Sequence, residues 1–250
     1  MDRPSPASPL ILVALLLAVG VGCDNSVDEV IPDPEATPEG WALVWSDEFE
    51  GAELDTTKWE VQLGDGCPDL CGWGNGEFQS YQAENVSVDG GVLTITARRR
   101  VAGGDTTYTS ARIRTLGRGD WTYGRFEVRA KLPTGQGIWP AIWLLFSEDT
   151  YGGWAASGEI DIMEAIGSEP GEVFGTLHYG GVFPDNEFSG EAFELAAGTF
   201  ADDFFVFALE WEEGAIRWYV NNVLYQTQTA EDWYTTGSDD PAAPFDHAFH

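Results

Sequence analysis

The sequence predicts an all-β protein built as an antiparallel β-sandwich, because short strand patterns bounded by turns recur and no long segment has a convincing helical period. In residues 124–132, apolar and charged residues alternate strictly, which is typical of a half-buried strand. Asn221-Asn222 separates two strand-like runs and predicts a hairpin. Further strands are predicted for residues 93–97, after the Asp89-Gly90-Gly91 turn, and for residues 204–211.

Residues 1–23 have the pattern of an export signal. Arg3 gives a weak positive start, and the apolar run over residues 10–21 is too short to span a bilayer comfortably. Cys23 follows Gly22 at the expected cleavage point, which predicts a lipid-anchored bacterial protein. The expected location is therefore the cell envelope, periplasmic or at the outer surface, with secretion after cleavage of a plain signal peptide as the alternative.

The rest of the chain divides into a tether and one domain. Residues 24–40 are rich in Asp, Glu and Pro and lack apolar periodicity, which is typical of a solvated linker. Residues 41–250 are long enough for a single large β domain. Within this domain, Cys67 and Cys71 could close a small disulfide loop in an oxidising compartment. Two free thiols, or less readily a zinc site, are the alternatives.

The formal net charge is −30, from 42 acidic and 12 basic residues. Such a surface repels nucleic acid and anionic membranes, so neither is an expected partner, and membrane contact is expected only through the lipid anchor. A neutral substrate fits this charge best, and we expect a monomer. The acidic excess also suggests adaptation to salty surroundings, where counterions screen the self-repulsion.

The segment from Gly158 to Glu164 places three carboxylates among apolar residues. On a regular strand Glu159 and Asp161 share one face, and Glu164 falls on the other face with the isoleucines, where its charge is costly to bury. A one-residue bulge at Met163 would turn Glu164 back onto the face of Glu159 and direct Ala165 inward. The spacing therefore predicts a bulged strand beside an active site.

This geometry suits hydrolysis at an anomeric carbon. The Cα atoms of Glu159 and Glu164 would lie roughly 13 Å apart, and side chains leaning together would bring the carboxyl groups to about 5–5.5 Å, the separation of a retaining glycosidase. Asp161 could hydrogen-bond the nucleophile and separate the two pKa values. A solvated acidic strand and a calcium site remain alternatives on spacing alone.

Tryptophan is abundant, with 11 residues in the chain. Trp139 and Trp143 stand four apart beside Gly and Pro, where they could stack on the apolar faces of sugar rings and still donate hydrogen bonds. Burial in the core is an equally good interpretation of each Trp on its own.

At this point the carboxylate motif resembles the Glu-x-Asp-x-x-Glu signature of family 16 glycoside hydrolases, the laminarinase-like β-glucanases. Glu159, Asp161 and Glu164 match the signature. The similarity runs from about residue 41 to residue 250. Other matching segments, in chain order, are residues 44–49, 73–77, 123–125, 139–143 and 177–179.

The resemblance implies a β-jelly-roll sandwich with a substrate cleft across one sheet. It implies Glu159 as nucleophile, Glu164 as general acid/base and Asp161 as the assisting carboxylate, with no cofactor required for catalysis. The matched substrate-contact positions are Asn75, Arg112, Trp139, Trp143 and His178. Many members of the family also hold a structural calcium ion, and Glu48 and Gly91 match two positions of that site, while the third has no match.

The family pattern implies an exported endo-β-1,3-glucanase acting on laminarin-like or mixed-linkage glucans, since the bulged motif accompanies 1,3-glucanase activity. A galactan hydrolase of the agarase or carrageenase kind is the alternative enzyme, and a non-catalytic glucan-binding protein is the alternative class. Residues 244–250 resemble a segment that leads, in the family, into another core strand and a loop at the cleft. We therefore expect the sequence to be truncated at its C-terminus.

Overall fold

The computed structural model describes residues 8–13 and 40–250, and only the backbone for residues 8–13. These residues form β-strands and two short 3-10 turns, Cys71–Gly74 and Ala83–Asn85, with no α-helix in the described ranges, which confirms the all-β prediction. The same ranges contain no helix with the length and apolar character needed to cross a bilayer. The predicted lipidation site Cys23 and the predicted linker, apart from Gly40, lie outside the described residues.

The strands are numbered in chain order. They are β1 (Ser8–Val13), β2 (Trp41–Ser46), β3 (Glu60–Gln62), β4 (Gln79–Tyr81), β5 (Val86–Asp89), β6 (Val92–Ile95), β7 (Arg98–Ala102), β8 (Asp105–Ser110), β9 (Arg112–Arg114), β10 (Gly124–Ala130), β11 (Ala141–Leu145), β12 (Glu159–Glu164), β13 (Glu172–Gly180), β14 (Asn186–Glu194), β15 (Phe205–Glu212), β16 (Ala215–Val220) and β17 (Val223–Thr229). Among the described residues they fall into two compact units, residues 8–13, 40–46 and 121–250, and residues 47–120.

The first unit contains a six-stranded sheet of order β17-β16-β15-β10-β1-β2. Strands β10, β15, β16 and β17 are antiparallel neighbours, whereas β1 runs parallel to both β10 and β2. Phe126 of β10 faces Leu209 of β15, and both are buried, as the predicted alternation requires. Asn221 and Asn222 have φ values of 47° and 64°, the left-handed turn conformation that joins a tight hairpin, so the predicted hairpin is confirmed.

A four-stranded antiparallel sheet completes this unit, in the consecutive order β11-β12-β13-β14. Its inner face shares one apolar core with the six-stranded sheet, and the most deeply buried side chains come from both, among them Ile160, Leu177, Leu209 and Trp218. The Trp218 indole N–H donates to the carbonyl oxygen of Asp161 at 2.8 Å. The core therefore supports the carboxylate strand from below by packing and by a directional bond.

Gly175 of β13 makes this arrangement possible. A Cβ atom at this position would lie 2.5 Å from Cδ1 of Trp218 and 2.6 Å from the hydroxyl of Tyr225. Real Cβ atoms do not approach other heavy atoms so closely, so only glycine leaves room for the Trp218 ring at this point of β13.

The second unit, residues 47–120, consists of small sheets, β3-β9, β4-β8-β7 and β5-β6. Cys67 and Cys71 form the predicted disulfide bond. Strand β6 ends at Ile95, two residues earlier than predicted, because the Thr96 backbone bonds to Asn85 instead of continuing the ladder.

Candidate active site

Strand β12 carries a bulge between Asp161 and Glu164. On β11, Trp143 faces Asp161 and Ile142 faces Met163, so Ile162 is the residue without a partner across that ladder. On β13, Thr176 faces Asp161 and Phe174 faces Glu164, so the same stretch again contains one extra residue. The predicted bulge is therefore confirmed. Toward β11 the extra residue is Ile162 and not the predicted Met163, whereas toward β13 neither of the two has a partner in the ladder.

The bulge sorts the side chains of β12 between the core and the open face of the sheet. Ile162 and Met163 are both buried in the core, and Ala165 is directed inward as predicted. Glu159 and Glu164 are partly exposed on the opposite face. Two consecutive residues can point inward only where the strand departs from simple alternation, so the bulge is what returns Glu164 to the face of Glu159.

Glu159 is held by two aromatic groups. The indole N–H of Trp154 donates to Oε2 of Glu159 at 3.0 Å, and Nε2 of His178 lies 3.9 Å from Oε1. Trp154 belongs to the loop between β11 and β12, and His178 faces Glu159 across the β12–β13 ladder. Both oxygens of this carboxylate therefore have a neighbour that stabilises its ionised form.

Asp161 is almost fully buried, with 3% of its surface exposed. His178 Nε2 lies 3.3 Å from its Oδ2, an ion-pair distance without hydrogen-bond geometry, and Oδ2 has no hydrogen-bond donor among the described residues. The predicted hydrogen bond from Asp161 to Glu159 stays a prediction. The Trp154 indole bonds to Oε2 of Glu159, and Oδ2 of Asp161 lies beside His178.

Glu164 has a different set of neighbours. The indole N–H of Trp139 donates to Oε1 at 2.9 Å, and the hydroxyl of Thr176 donates to Oε2 at 3.3 Å. A cavity of about 260 Å³ lies beside this carboxylate, and Phe174 and Phe188 form part of its wall. Glu164 therefore faces a cavity with aromatic walls on the open face of the sheet.

The site holds more carboxylate charge than it can ionise near neutral pH. Burial, followed by the Asp161 charge, raises the pKa of Glu159 to about 8, although His178 and the Trp154 hydrogen bond act in the opposite direction. Burial and the Glu164 charge raise the pKa of Asp161 well above its ordinary value. The close pair Glu159 and Asp161 therefore retains a proton under conditions where an exposed pair would have lost both.

Ligand atoms of Glu159, Asp161 and His178 lie within 4.8 Å of one another. One imidazole nitrogen and two carboxylates do not match the six to eight oxygen ligands that calcium takes, and Glu164 is outside the group. The arrangement thus fits a catalytic cluster better than the calcium alternative considered for the three carboxylates.

The predicted substrate-contact residues lie in both units. In the first unit Trp139 is 66% exposed and lies beside Glu164. Trp143 is half-buried and faces Asp161 across the β11–β12 ladder. His178 lies close to both Glu159 and Asp161. In the second unit Asn75 is exposed at the end of a 3-10 turn, and the Arg112 guanidinium lies 4.6 Å above the Trp73 ring.

Three residues of the site were not predicted from the sequence. Trp154 and Thr176 donate to the two glutamates, and Phe188 lies 5.9 Å from the His178 ring on the open face. Thr176 had a signal, because it stands two residues before His178 on the same strand and so shares its face. Trp154 had none, because it lies in a loop whose course the residue pattern does not determine.

The two positions matched to the family calcium site are neighbours in the second unit. A Cβ atom on Gly91 would lie 3.9 Å from the carbonyl oxygen of Glu48, so the two backbone segments run side by side. Carbonyl oxygens in such a position suit calcium, although two carbonyls are fewer than a full coordination sphere.

Comparison with known proteins relates the sequence of this chain to a family of enzymes. Residues 75–246 match the model of glycosyl hydrolases family 16. The glucan endo-1,3-β-glucosidase A1 of Niallia circulans is 43% identical over 224 residues, which cover 84% of this chain and 33% of that protein, so the chain spans a third of that relative. The β-glucanase of Rhodothermus marinus is 42% identical over 245 residues, covering 95% of this chain and 81% of that one.

Solved structures agree with the sequence matches. The catalytic domain of an endo-1,3-β-glucanase (laminarinase) from Thermotoga petrophila superposes with a TM-score of 0.73 at 38% identity, covering 84% of each chain. This similarity confirms the predicted all-β jelly-roll fold. The chain belongs to glycosyl hydrolases family 16.

Proposed function

We propose that this protein cleaves internal β-1,3 linkages of neutral glucans of the laminarin kind, with retention of the anomeric configuration. The observation that carries the proposal is the bulge in β12, which brings Glu159 and Glu164 to one open face with different hydrogen-bond donors on each. Two relatives named as endo-1,3-β-glucanases match most of this chain, which supports the choice of linkage.

In the first step Glu159 attacks the anomeric carbon and Glu164 protonates the departing glycosidic oxygen. Glu159 must be ionised for this, although burial raises its pKa. We assign the retained proton to Asp161, which is more deeply buried and has no donor at Oδ2 in the described part of the chain. A protonated Asp161 removes the charge that most opposes ionisation of Glu159, after burial itself.

In the second step water displaces the glycosyl group from Glu159. Glu164, which has given up its proton, takes one from that water, so a single residue serves as acid and then as base. The Trp154 N–H and the His178 ring stay beside Glu159 throughout, and they are placed to stabilise the carboxylate as it is released.

Aromatic rings on the open face provide a binding surface for a neutral polysaccharide. Exposed Trp139 lies on one side of the acids, and Phe188, His178, Trp154 and Phe183 form a row of ring contacts 5.5 to 6.4 Å apart. Flat rings stack on the apolar faces of pyranose sugars without needing charge. A chain of net charge −30 would repel a sulfated polymer, which disfavours the carrageenase-like alternative.

The non-catalytic alternative is disfavoured by the polar environment of the acids. A binding protein has no need for a buried acid with an oxygen that lacks a donor, whereas Oδ2 of Asp161 is in that state among the described residues. Such costly placements are typical of catalytic sites.

The proposal is tested by release of reducing sugar from laminarin, lichenan and agarose. We expect cleavage of laminarin, loss of at least about a thousandfold in kcat for Glu159→Gln, and no loss for Glu194→Gln, an exposed acid on the same sheet. Turnover of agarose alone would favour the galactanase alternative. Binding of laminarin without turnover by the wild type would favour the binding protein.

Export with a lipid at Cys23 is part of the proposal. The apolar run of residues 10–21 supports export, and the Cys67–Cys71 disulfide is consistent with an oxidising compartment. Incorporation of labelled palmitate into the wild type but not into Cys23→Ala tests the anchor. A structural calcium between the Glu48 and Gly91 backbones is supported by their adjacency and predicts a lower melting temperature after chelation.

A further inference from the structure

The loop over residues 147–158 joins β11 to β12 and carries Trp154, the donor to Glu159. Its path is fixed by its own backbone bonds, such as that from Ala156 N to the carbonyl of Gly153 at 2.9 Å. An indole N–H that must meet one carboxylate oxygen at 3.0 Å requires this loop to keep its position closely.

The segment over residues 245–250 runs alongside the same loop. Ser147 N donates to the carbonyl of Ala248 at 2.9 Å, and Leu145 and His250 exchange backbone bonds of 3.1 and 2.9 Å. Phe245 and Phe249 are buried beneath Gly158, where an added Cβ would lie 2.9 and 3.1 Å from their rings. These two aromatic residues supply the apolar contact between the segment and the start of β12.

His247 makes directional contacts to both ends of the loop. Its Nε2 lies 3.0 Å from the carbonyl oxygen of Ser157, and its Nδ1 lies 3.1 Å from the hydroxyl of Thr150. Both contacts are satisfied at once by the neutral imidazole in which Nε2–H donates and Nδ1 accepts, a tautomer assigned from the network. His247 therefore joins Thr150 to Ser157 across the loop.

Asp246 holds the same loop at a third point. The hydroxyl of Tyr151 lies 2.8 Å from both carboxylate oxygens of Asp246, and the Tyr151 backbone N–H donates to the Ser157 hydroxyl oxygen at 3.0 Å. The three loop residues bound by this pair, Thr150, Tyr151 and Ser157, flank Trp154 on both sides in the sequence.

We propose that Asp246 and His247 are positioning residues for the reaction, which hold the loop over residues 147–158 so that the Trp154 indole reaches Glu159. They act through Trp154 and not on the substrate. The kinetic consequence rests on the proposed glucanase function, whereas the structural consequence, the position of the Trp154 N–H, does not.

The kinetic test is a double-mutant cycle with laminarin. We expect His247→Leu to lower kcat about tenfold with KM changed less than about twofold, and to cause no further loss when Trp154→Phe is already present. His247→Gln should restore most of the rate, because its amide can donate to the Ser157 carbonyl and accept from Thr150. Independent, multiplicative losses, or a Gln variant as slow as the Leu variant, would overturn the proposal.

The structural test needs no substrate. In ¹⁵N-tryptophan-labelled protein the Trp154 indole resonance is identified by its absence in Trp154→Phe. It should shift or broaden in His247→Leu and in Tyr151→Phe, which removes the bond to Asp246, and stay in place in His247→Gln. His250→Gln, a histidine of the same segment that contacts Ser147, is the matched control and should leave it unchanged.

An unchanged Trp154 resonance in His247→Leu and Tyr151→Phe would contradict the proposal even if laminarin is cleaved. A shifted resonance in a protein that fails to cleave any glucan would support the positioning role and reject the proposed substrate. Melting temperatures of each variant identify a protein that has not folded, and in that case Tyr151→Phe, the mildest change, decides.

Discussion

Asp161 is the residue whose surroundings depart most from ordinary protein chemistry. Its carboxyl group is buried, its Oδ2 has no donor in the described part of the chain, and its pKa is raised well above the usual value. The folded protein therefore binds more protons at this pair than the unfolded chain does, since the pKa of Glu159 is raised as well. By linkage, this contribution to stability is fully present in acid and is lost as pH rises toward about 8.

We predict that Asp161→Asn stabilises the protein and impairs catalysis. At about pH 8 the gain should be on the order of 1–3 kcal/mol, because folding then requires Asp161 to keep a proton that the unfolded chain releases, a cost that Asn does not carry. The gain should shrink toward about pH 2, where the carboxyl is protonated in both states. Urea unfolding of the wild type and of Asp161→Asn across this pH range measures the difference in unfolding free energy. In the same variant, kcat on laminarin should fall at least about tenfold. A stability change that is the same at every pH would contradict this account of Asp161.

Side-chain positions were predictable where they follow from strand alternation. Glu159 and Asp161 share a face of β12 for this reason, whereas His178 was expected only from the family resemblance. Trp154 was not predictable, because its distance to Glu159 depends on the course of a loop and on its ties to Asp246 and His247. Local pattern contains no information on such long-range contacts.

At the scale of the elements, the sequence showed that β12 must contain a bulge, but it did not show which residue forms the bulge. A regular strand would have buried Glu164, which required an extra residue somewhere after Asp161. Ile162 and Met163 are both large apolar residues that fill the core equally well, so the sequence pattern does not decide which of them lacks a partner.

The support beneath β12 makes a second prediction. Gly175→Ala should destabilise the protein by about 2–3 kcal/mol, because the new methyl group would displace the Trp218 ring from under the sheet. It should also lower kcat, since Trp218 bonds to the carbonyl of Asp161. Gly171→Ala is the matched control, with its nearest contact at an ordinary 3.5 Å. Equal unfolding free energies for the two variants would refute the tight packing described for Gly175.

Strand β1 connects the fold to the export prediction. Its backbone lies between β10 and β2, yet residues 8–13 belong to the predicted signal. Cleavage before Cys23, as a lipid on that residue requires, would remove these residues and leave the facing edges of β2 and β10 without the hydrogen bonds of β1.

At the scale of the whole molecule, the charge of −30 predicts a dependence on salt. Raising NaCl from about 20 mM to about 1 M shortens the screening length from about 20 Å to about 3 Å, which weakens repulsion among surface carboxylates. We expect the melting temperature to rise by roughly 5 °C. NaCl is preferred to sulfate, because sulfate stabilises proteins by exclusion from their surface. A flat profile would remove the idea of a salt-adapted surface.

The fold class and family were predictable because their signals are spread along the chain, from the residues around Asn75 to the segment near Phe245. Strand patterns, the hairpin at Asn221 and the Cys67–Cys71 bond all follow from local rules and are confirmed. What local rules do not contain is the packing of loops against distant segments, and there the aromatic row on the open face was missed.

The most direct test of the account is to trap the reaction halfway. An activated 2-deoxy-2-fluoro β-laminaribioside slows the second step more than the first, so the glycosyl-enzyme should accumulate. We predict that mass spectrometry of the digested protein finds the added sugar on Glu159 at one equivalent, with none on Glu164. A label on Glu164, or an enzyme that cleaves laminarin without accumulating any covalent sugar, would contradict the roles that the bulge in β12 assigns to the two glutamates.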